Sequence, residues 1–246
     1  MTRFVEKSFS VRSIGQVESC YPDKFGTPRQ PGLVPASEAF IRINSEFQPE
    51  ISLQGLSEFS HLWLMFWFHE NQNSKFHAKV HPPRLRGESR GVFATRSPHR
   101  PNPIGLSLVE LVKIETDGIW VRGVDVISGT PVLDIKPYLR DVESKPEAKS
   151  GWTDRKSPSE IEVEWPQDLL QSIKAWQIKS AKPELQNLIE QTLRLDPRPE
   201  VYKGFENSDS APYRTEHAVR FWDGDIHFRF LTPEKIQITK VIANAN

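Results

Sequence analysis

The chain has 246 residues, and its 32 Lys and Arg residues balance 32 Asp and Glu residues, so the net charge is zero with neutral His. At about 150 residues per domain, this length fits one large domain or one domain with a smaller companion. A histone-like or ribosomal-tail protein would be basic throughout, so the charge balance excludes that class but not a local nucleic-acid-binding patch. The single cysteine, Cys20, excludes an intramolecular disulfide framework and a Cys-rich zinc site.

The sequence carries no signal for a membrane or for export. Its longest apolar run, residues 62–68, falls far short of the roughly 18 residues that a membrane span needs. The N-terminal residues lack the apolar core of a secretory signal peptide. We therefore expect a cytoplasmic protein with no membrane association.

Short strands between Pro- and Gly-containing turns are predicted for residues 1–165. The predicted strands are 9–14, 39–43, 62–68, 91–94, 107–114, 118–126 and 132–135. Asp117-Gly118 predicts a hairpin, because this pair tolerates the positive φ angles of a tight turn. The polar segment 137–159 is predicted to be an irregular linker, and the alternation over 161–165 predicts an edge strand.

The hydrophobic period changes to that of a helix after residue 165. Leu169, Ile173 and Trp176 share one helix face, and Pro183 suits the first turn of a second helix that Asp196 and its neighbouring prolines end. A hairpin with strands 218–222 and 226–231, and then a strand at 235–242, complete the chain. This pattern indicates a small α+β domain.

Positive charge is concentrated between residues 79 and 100, which contain six Lys or Arg residues and a single acidic residue, Glu88. The cations are Lys79, Arg84, Arg86, Arg90, Arg96 and Arg100. Arginine can bind phosphate or carboxylate with two hydrogen bonds in one plane. A solvated charged loop is the alternative. The run encloses the apolar residues 91–94, which we expect to form a buried strand with arginines at both ends.

A stiff loop follows this strand. Pro98, Pro101 and Pro103 lie within six residues and exclude helix and sheet pairing. Such a loop is low in conformational entropy before a ligand binds, which favours its use in holding binding groups.

Residues 93–107 (FATRSPHRPNPIGLS) resemble the signature of the TsaA-like or TrmO family of tRNA adenosine N6-methyltransferases. Residues 24–32 (KFGTPRQPG), 59–63 (FSHLW) and 125–138 (DVISGTPVLDIKPY) are similar to other blocks of the family. Residues 196–199 (DPRP) and the hairpin at 221–230 resemble the C-terminal extension of its longer bacterial members. The resemblance covers nearly the whole chain.

This resemblance implies a mainly β fold. Residues 1–165 would form a single-sheet, TsaA-like β-barrel that binds S-adenosylmethionine, and residues 166–246 a small α+β domain that helps to hold tRNA. The resemblance further implies a homodimer with cofactor sites near the subunit interface, and methylation of N6 of threonylcarbamoyl-adenosine beside the anticodon. The chain has no G-x-G-x-x-G motif, and residues 1–165 show no βαβ alternation, so the common methyltransferase fold is excluded.

The resemblance also implies a set of cofactor-binding residues. They are Arg29, Gln30, Pro31, His69, Glu70, Arg96, Leu106, Asp125, Val126, Ile127 and Ser128. Arg29 or Arg96 would bind the cofactor carboxylate, and Asp125 or Glu70 would accept hydrogen bonds from its hydroxyl or amino groups. Relatives often carry Gln where this chain has Glu70. Structural alternatives stay open: a core histidine at His69, a plain loop residue at Arg29 and a turn cap at Asp125.

Asn102 is the candidate that would accept a hydrogen bond from the N6 amine of the adenosine and align it with the methyl group. Asn/Asp-Pro pairs do this in other adenine methyltransferases on an unrelated fold, so this role rests on analogy, and a purely structural Asn in a Pro turn is the alternative. Arg100, in the same loop, is the second candidate catalytic residue. The candidate nucleic-acid-binding residues are Arg84, Arg86, Arg90, Arg198, Tyr202, Lys203 and Arg220.

Two other functions compete with this one. A barrel that binds S-adenosylmethionine or RNA without turnover would use the same stiff Arg-containing loop. A metal-dependent hydrolase would have to use His61, His69, His77 and His81, but their spacing matches no zinc motif, so no metal is expected.

Overall fold

The computed structural model describes residues 9–71, 75–85, 87–154, 161–198 and 216–244, apart from the side chain of Arg84. Its strands in chain order are β1 Gly15–Ser19, β2 Glu38–Ile43, β3 His61–Trp67, β4 Lys79–Val80, β5 Arg90–Gly91, β6 Ile104–Glu115, β7 Gly118–Arg122, β8 Pro131–Pro137, β9 Glu162–Glu164, β10 Glu216–Phe221, β11 Gly224–Thr232 and β12 Lys235–Ala243. Its α-helices are α1 Pro49–Ser52, α2 Arg140–Glu143, α3 Gln167–Ser180 and α4 Leu185–Arg194.

Six strands close into a barrel in the order β1-β2-β7-β6-β3-β8, and every neighbouring pair is antiparallel. Alternate side chains of β3 fill the interior, with Leu62, Leu64 and Phe66 buried. Gly105 on β6 lies so close to the ring of Phe66 that a Cβ atom there would come within 2.3 Å of it. The predicted mainly β fold with an N-terminal barrel is confirmed.

Three connections meet at one end of the barrel, which we call the loop end. The registers place the carboxyl ends of β1, β3 and β7 there, together with the first residues of β2, β6 and β8. The connections 20–37, 68–103 and 123–130 therefore emerge side by side. They carry nearly all of the candidate site residues of the barrel domain.

The structure corrects several predicted strands of the barrel. Residues 9–14 form no strand, and the first strand begins at Gly15. Residues 92–94 form a 3₁₀ turn instead of a buried strand, and Phe93 is 79% exposed. β7 ends at Arg122, because Gly123 turns the chain away with a φ of +77°.

The predicted hairpin between β6 and β7 is confirmed, but its physical reason is different. Neither Asp117 nor Gly118 has a positive φ. Gly118 is required by close packing, since a Cβ atom there would lie 2.2 Å from the carbonyl oxygen of Ile41.

The second sheet has the order β10-β11-β12-β9, and α3 and α4 pack on it. Ile173 and Trp176 of α3 and Leu188 of α4 are buried in its core. Both predicted helices, the hairpin and the last strand are confirmed. The predicted edge strand β9 is also present, but it pairs in parallel with β12, so it belongs to this sheet although the predicted domain boundary falls after it.

In the described part of the chain, no helix combines the length and apolar character required to cross a membrane.

Candidate functional site

A hydrogen bond at the loop end joins two of the candidate cofactor-binding residues. Arg96 Nη1 donates to Gln30 Oε1 at 2.9 Å, which links the connection 68–103 to the connection 20–37. The positive charge of Arg96 also acts on the carboxyl group of Asp125, in the third connection. The structure thus brings together Gln30, Arg96 and Asp125, which are far apart in the sequence.

Asp125 is the most strongly perturbed carboxylate of the site. Burial raises its pKa from the ordinary 3.8 to about 6, and the Ser107 hydrogen bond and the Arg96 charge offset part of that rise. Ser107 Oγ donates to Asp125 Oδ1 at 2.5 Å. A half-buried carboxylate with one fixed oxygen is suited to accept hydrogen bonds from a hydroxyl or amino group.

Ser107 was missed by sequence reasoning. It is only 1% exposed and occupies an inward position of β6. The available signal was a hydroxyl at a core position of a predicted strand, because a buried hydroxyl must find a hydrogen-bond partner.

The connection 123–130 is fixed against β1. Ser128 N donates to Tyr21 O and Gly129 N to Val17 O, each at 2.8 Å. Ser128 Oγ accepts from Ser19 N at 3.3 Å. Val126 is buried, while Ile127 and Ser128 are half-buried. This segment therefore offers a rigid wall beside Asp125.

His69 and Glu70 follow β3, and both are exposed. The alternative of a core histidine is therefore wrong. His69 Nε2 lies near Gly129, 3.9 Å from the position that a Cβ atom would take there. The Glu70 carboxylate pairs with Lys24 Nζ at 3.1 Å, so it ties the connection 20–37 to the end of β3.

The remaining candidate cofactor-binding residues lie in the connection 20–37 and on β6. Arg29 is exposed and Pro31 is half-buried in the connection 20–37. Leu106 is 49% exposed and lies opposite Met65, on the outer face of the barrel. Side chains alternate along a strand, so Leu106 points away from the face that carries Ser107 and Asp125.

The stiff loop with the candidate catalytic residues is held at several points. Asn71 Nδ2 donates to Pro98 O at 2.7 Å, and Phe68 N donates to Pro103 O at 2.8 Å. The Asn102 side chain is exposed and has no hydrogen bond within the described residues. Arg100 is half-buried and reaches Thr95 O at 3.4 Å. The loop therefore presents the Asn102 amide to solvent on a constrained backbone.

The candidate nucleic-acid-binding residues are less well placed. Arg90 pairs with Glu88 at 2.8 Å, and Arg220 lies 3.5 Å from Asp23. Arg198 is only 5% exposed, so its guanidinium is not positioned to reach a phosphate. The side chain of Arg84, together with Arg86, Tyr202 and Lys203, lies outside the described residues.

Arg198 has a structural environment instead. Its guanidinium bonds both Asp196 carboxylate oxygens at 2.9 and 3.0 Å and lies 3.4 Å from the centroid of the Phe230 ring. The pairing with a carboxylate and an aromatic face stabilises the end of α4 against the second sheet.

The second domain also holds the connection 20–37. Tyr21 Oη lies 3.2 Å from Thr192 Oγ1, and Ala36 N donates to Gln191 Oε1 at 2.9 Å. Trp222 N donates to Cys20 O at 3.0 Å. The chain segment with Arg29, Gln30 and Pro31 is thus supported from both domains.

Comparison with known protein families accounts for both halves of this architecture. Residues 16–144 match the model for the tRNA-methyltransferase O N-terminal domain, and residues 158–244 match that for the TrmO C-terminal domain. The chain belongs to the TrmO family. Its barrel with a small second domain is the arrangement that the two matches describe together.

Several TrmO relatives are similar over nearly their full length. An Escherichia coli tRNA (adenine(37)-N6)-methyltransferase is 37% identical over 227 residues, which are 90% of this chain and 93% of the relative. A Pseudomonas aeruginosa protein with the provisional name S-adenosylmethionine-dependent methyltransferase RcsF is 40% identical over 94% of this chain and 97% of its own. A crystal structure of TrmO from that organism has a TM-score of 0.78 and 36% identity, covering 98% of this chain and 100% of the other.

A mouse tRNA (adenine(37)-N6)-methyltransferase is more similar over a shorter segment. It is 55% identical over 133 residues, which are 53% of this chain and 31% of the mouse protein. Within the described ranges, no group of three or more His, Cys, Asp or Glu side chains is placed to hold a metal ion.

Proposed function

We propose that this chain is an S-adenosylmethionine-dependent methyltransferase that acts on N6 of adenosine 37 in tRNA. The TrmO relatives with this activity in their names support the proposal. Within the structure, the observation that supports it best is the cluster of Gln30, Arg96 and Asp125 at the loop end. It combines an exposed cation, an amide and a desolvated carboxylate beside a rigid backbone wall.

These residues fit the polar groups of S-adenosylmethionine. Arg96 would bind the carboxylate of the cofactor, and Asp125 would accept hydrogen bonds from its hydroxyl or amino groups. The carboxylate of Asp125 is costly to ionise even with the Ser107 hydrogen bond, so a ligand that donates a further hydrogen bond compensates for part of its desolvation. When bound, the cofactor supplies an electrophilic methyl group.

Asn102 would act on the acceptor. Its exposed amide oxygen is presented by a loop whose backbone is tied at Pro98 and Pro103. An N6 amine held by such an acceptor loses rotational freedom and is aligned for attack on a methyl group. Arg100, in the same loop, would support the position of the acceptor.

The adenosine to be methylated would already carry a threonylcarbamoyl group, as the family resemblance implies. The second domain would assist in holding the tRNA, and its contacts with the connection 20–37, which carries Arg29, Gln30 and Pro31, support this role. A cytoplasmic location, where tRNA would be available, is part of the same proposal.

A homodimer is also proposed, and the outer face of β3 and β6 supports it. Six apolar side chains face outward in register there, five of them half-buried and Leu106 more exposed. They are Trp63, Met65, Trp67, Ile104, Leu106 and Leu108. A continuous apolar patch of this kind marks an interaction surface.

Cofactor turnover tests the proposal. The purified chain should convert S-adenosylmethionine to S-adenosylhomocysteine when tRNA from a strain lacking this enzyme is present, and not without tRNA. Tight cofactor binding with no tRNA-dependent product would contradict the enzymatic proposal and favour a non-catalytic binding module.

A further inference from the structure

Phe93 is a large apolar side chain that the fold leaves in solvent. It is 79% exposed, although its neighbour Val92 is only 2% exposed. Exposed apolar residues scattered over a surface need no explanation. Phe93 differs because of the backbone that carries it and because of its neighbours.

The 3₁₀ turn that carries Phe93 is fixed on three sides. Val92 N donates to Ala78 O at 3.0 Å, and Thr95 Oγ1 donates to Val92 O at 2.8 Å. Trp152 Nε1 donates to Ala94 O at 2.8 Å. The ring is thus displayed by a constrained backbone, so binding a partner costs little ordering entropy.

The turn lies close in sequence to Arg96 of the candidate cofactor site. Phe93 precedes Arg96 by three residues, and Arg96 bonds Gln30 and acts on Asp125. A second exposed aromatic, Phe76, is 54% exposed and lies two residues before the carbonyl that accepts from Val92. Both rings therefore belong to the connection 68–103, which also carries Arg96 and Asn102.

The surrounding charge indicates the chemistry of the partner. Residues 75–100 contain seven Lys or Arg and one acid, Glu88. Exposed aromatic rings among cations are the usual means of binding single-stranded nucleic acid, since bases stack on the rings and phosphates meet the cations. A second copy on this surface would instead bring two sets of positive charge together.

We propose that Phe93 is a base-stacking residue that receives an unpaired nucleobase next to the adenosine that is methylated. The inference rests on the proposed function, because it assumes an RNA acceptor at this site. Phe76 extends the same stacking surface. The partner is a single-stranded RNA loop, recognised through its bases and phosphates.

Substitutions at Phe93 test this directly, because its exposed ring can be changed with little effect on the core. The variants are Phe93→Ala, Phe93→Leu and Phe93→Tyr, with Phe9→Ala as the matched control at another exposed ring, 83% exposed. The measurements are the Kd of a fluorescent anticodon stem-loop RNA, kcat/KM for tRNA, and the Kd of S-adenosylhomocysteine.

Stacking predicts that Ala and Leu at position 93 weaken RNA binding and lower kcat/KM by about tenfold or more, whereas Tyr restores both. Phe9→Ala should stay within about twofold of the parent protein. The Kd of S-adenosylhomocysteine should not change in any variant. Leu that performs as well as Phe, or unchanged RNA binding in Ala, would overturn the proposal.

Two further outcomes separate this inference from its alternatives. Loss of dimer mass in Phe93→Ala during sedimentation would assign the ring to an interface between copies and overturn the proposal. A parent protein without tRNA-dependent turnover would contradict the proposed function, whereas the RNA Kd of the variants would still decide the role of Phe93.

Discussion

Replacing Asp125 by Asn should stabilise the ligand-free protein at high pH and weaken its binding of cofactor. Burial raises the pKa of Asp125 from 3.8 to about 6, which corresponds to about 3 kcal/mol. The protonated form is favoured in the fold, so the free energy of unfolding falls as pH rises from about 4 to about 6. The cost of the buried charge is therefore fully present above that range and absent below it.

Asn has nearly the shape of Asp and still offers an oxygen to the Ser107 hydroxyl. Urea unfolding at pH 8 should show a gain of up to about 3 kcal/mol for Asp125→Asn. The gain should vanish below pH 4. Calorimetry at pH 8 should show S-adenosylhomocysteine bound about tenfold or more weakly, since a hydrogen bond to a charged acceptor is lost.

Three results would refute this reasoning. A variant less stable than the parent at pH 8 would mean that the carboxylate is stabilised in the fold, against the direction of its pKa. An equal gain at pH 8 and pH 4 would remove the link to ionisation. Unchanged affinity for S-adenosylhomocysteine would place the cofactor elsewhere.

Three further predictions concern the acceptor, the contact between domains and the dimer. Asn102→Ala should leave the Kd of S-adenosylhomocysteine unchanged and lower kcat by about a hundredfold; retained turnover would show that the amide is structural. Thr192→Val removes the buried partner of Tyr21 and should cost about 1 kcal/mol of stability and weaken cofactor binding; unchanged cofactor affinity would separate the second domain from the cofactor loop. Leu108→Glu should convert a dimer to a monomer in sedimentation, and a persistent dimer would exclude the outer face of β3 and β6.

The elements that could be predicted from the sequence are those with a local signal. Leu169, Ile173 and Trp176 repeat with the period of a helix, and α3 follows that pattern. Residues 91–94 mislead because four apolar or small residues resemble a strand, whereas only Val92 is buried and the chain turns around it. A run so short carries too little periodicity to distinguish a strand from an anchored turn.

The arrangement of the site depends on contacts that no local pattern encodes. Gln30 and Arg96 belong to different connections, and only the closed barrel brings them within hydrogen-bond distance. Ser107 and Asp125 meet through the antiparallel pairing of β6 and β7, whose register includes a shift. The family signature supplied Arg96 and Asp125 as candidates but not their shared environment. Arg198 has one contact of each kind. Its carboxylate partner Asp196 lies two residues earlier, whereas the Phe230 ring that its guanidinium contacts is distant in sequence.

The same limit explains the position of β9. Its alternating sequence predicts an edge strand, and the structure confirms one. Its partner β12 begins only at Lys235, beyond both helices and the hairpin, so the sequence around β9 does not reveal to which sheet the strand belongs.

Transfer of a labelled methyl group to tRNA tests the central claim most directly. The acceptors are tRNA from a strain lacking this enzyme and tRNA that also lacks threonylcarbamoyl, with the labelled nucleoside identified after digestion. The account predicts label on N6 of threonylcarbamoyl-adenosine 37 in the first tRNA and none in the second. Label at another position, or no label on either tRNA while S-adenosylhomocysteine binds, would contradict it.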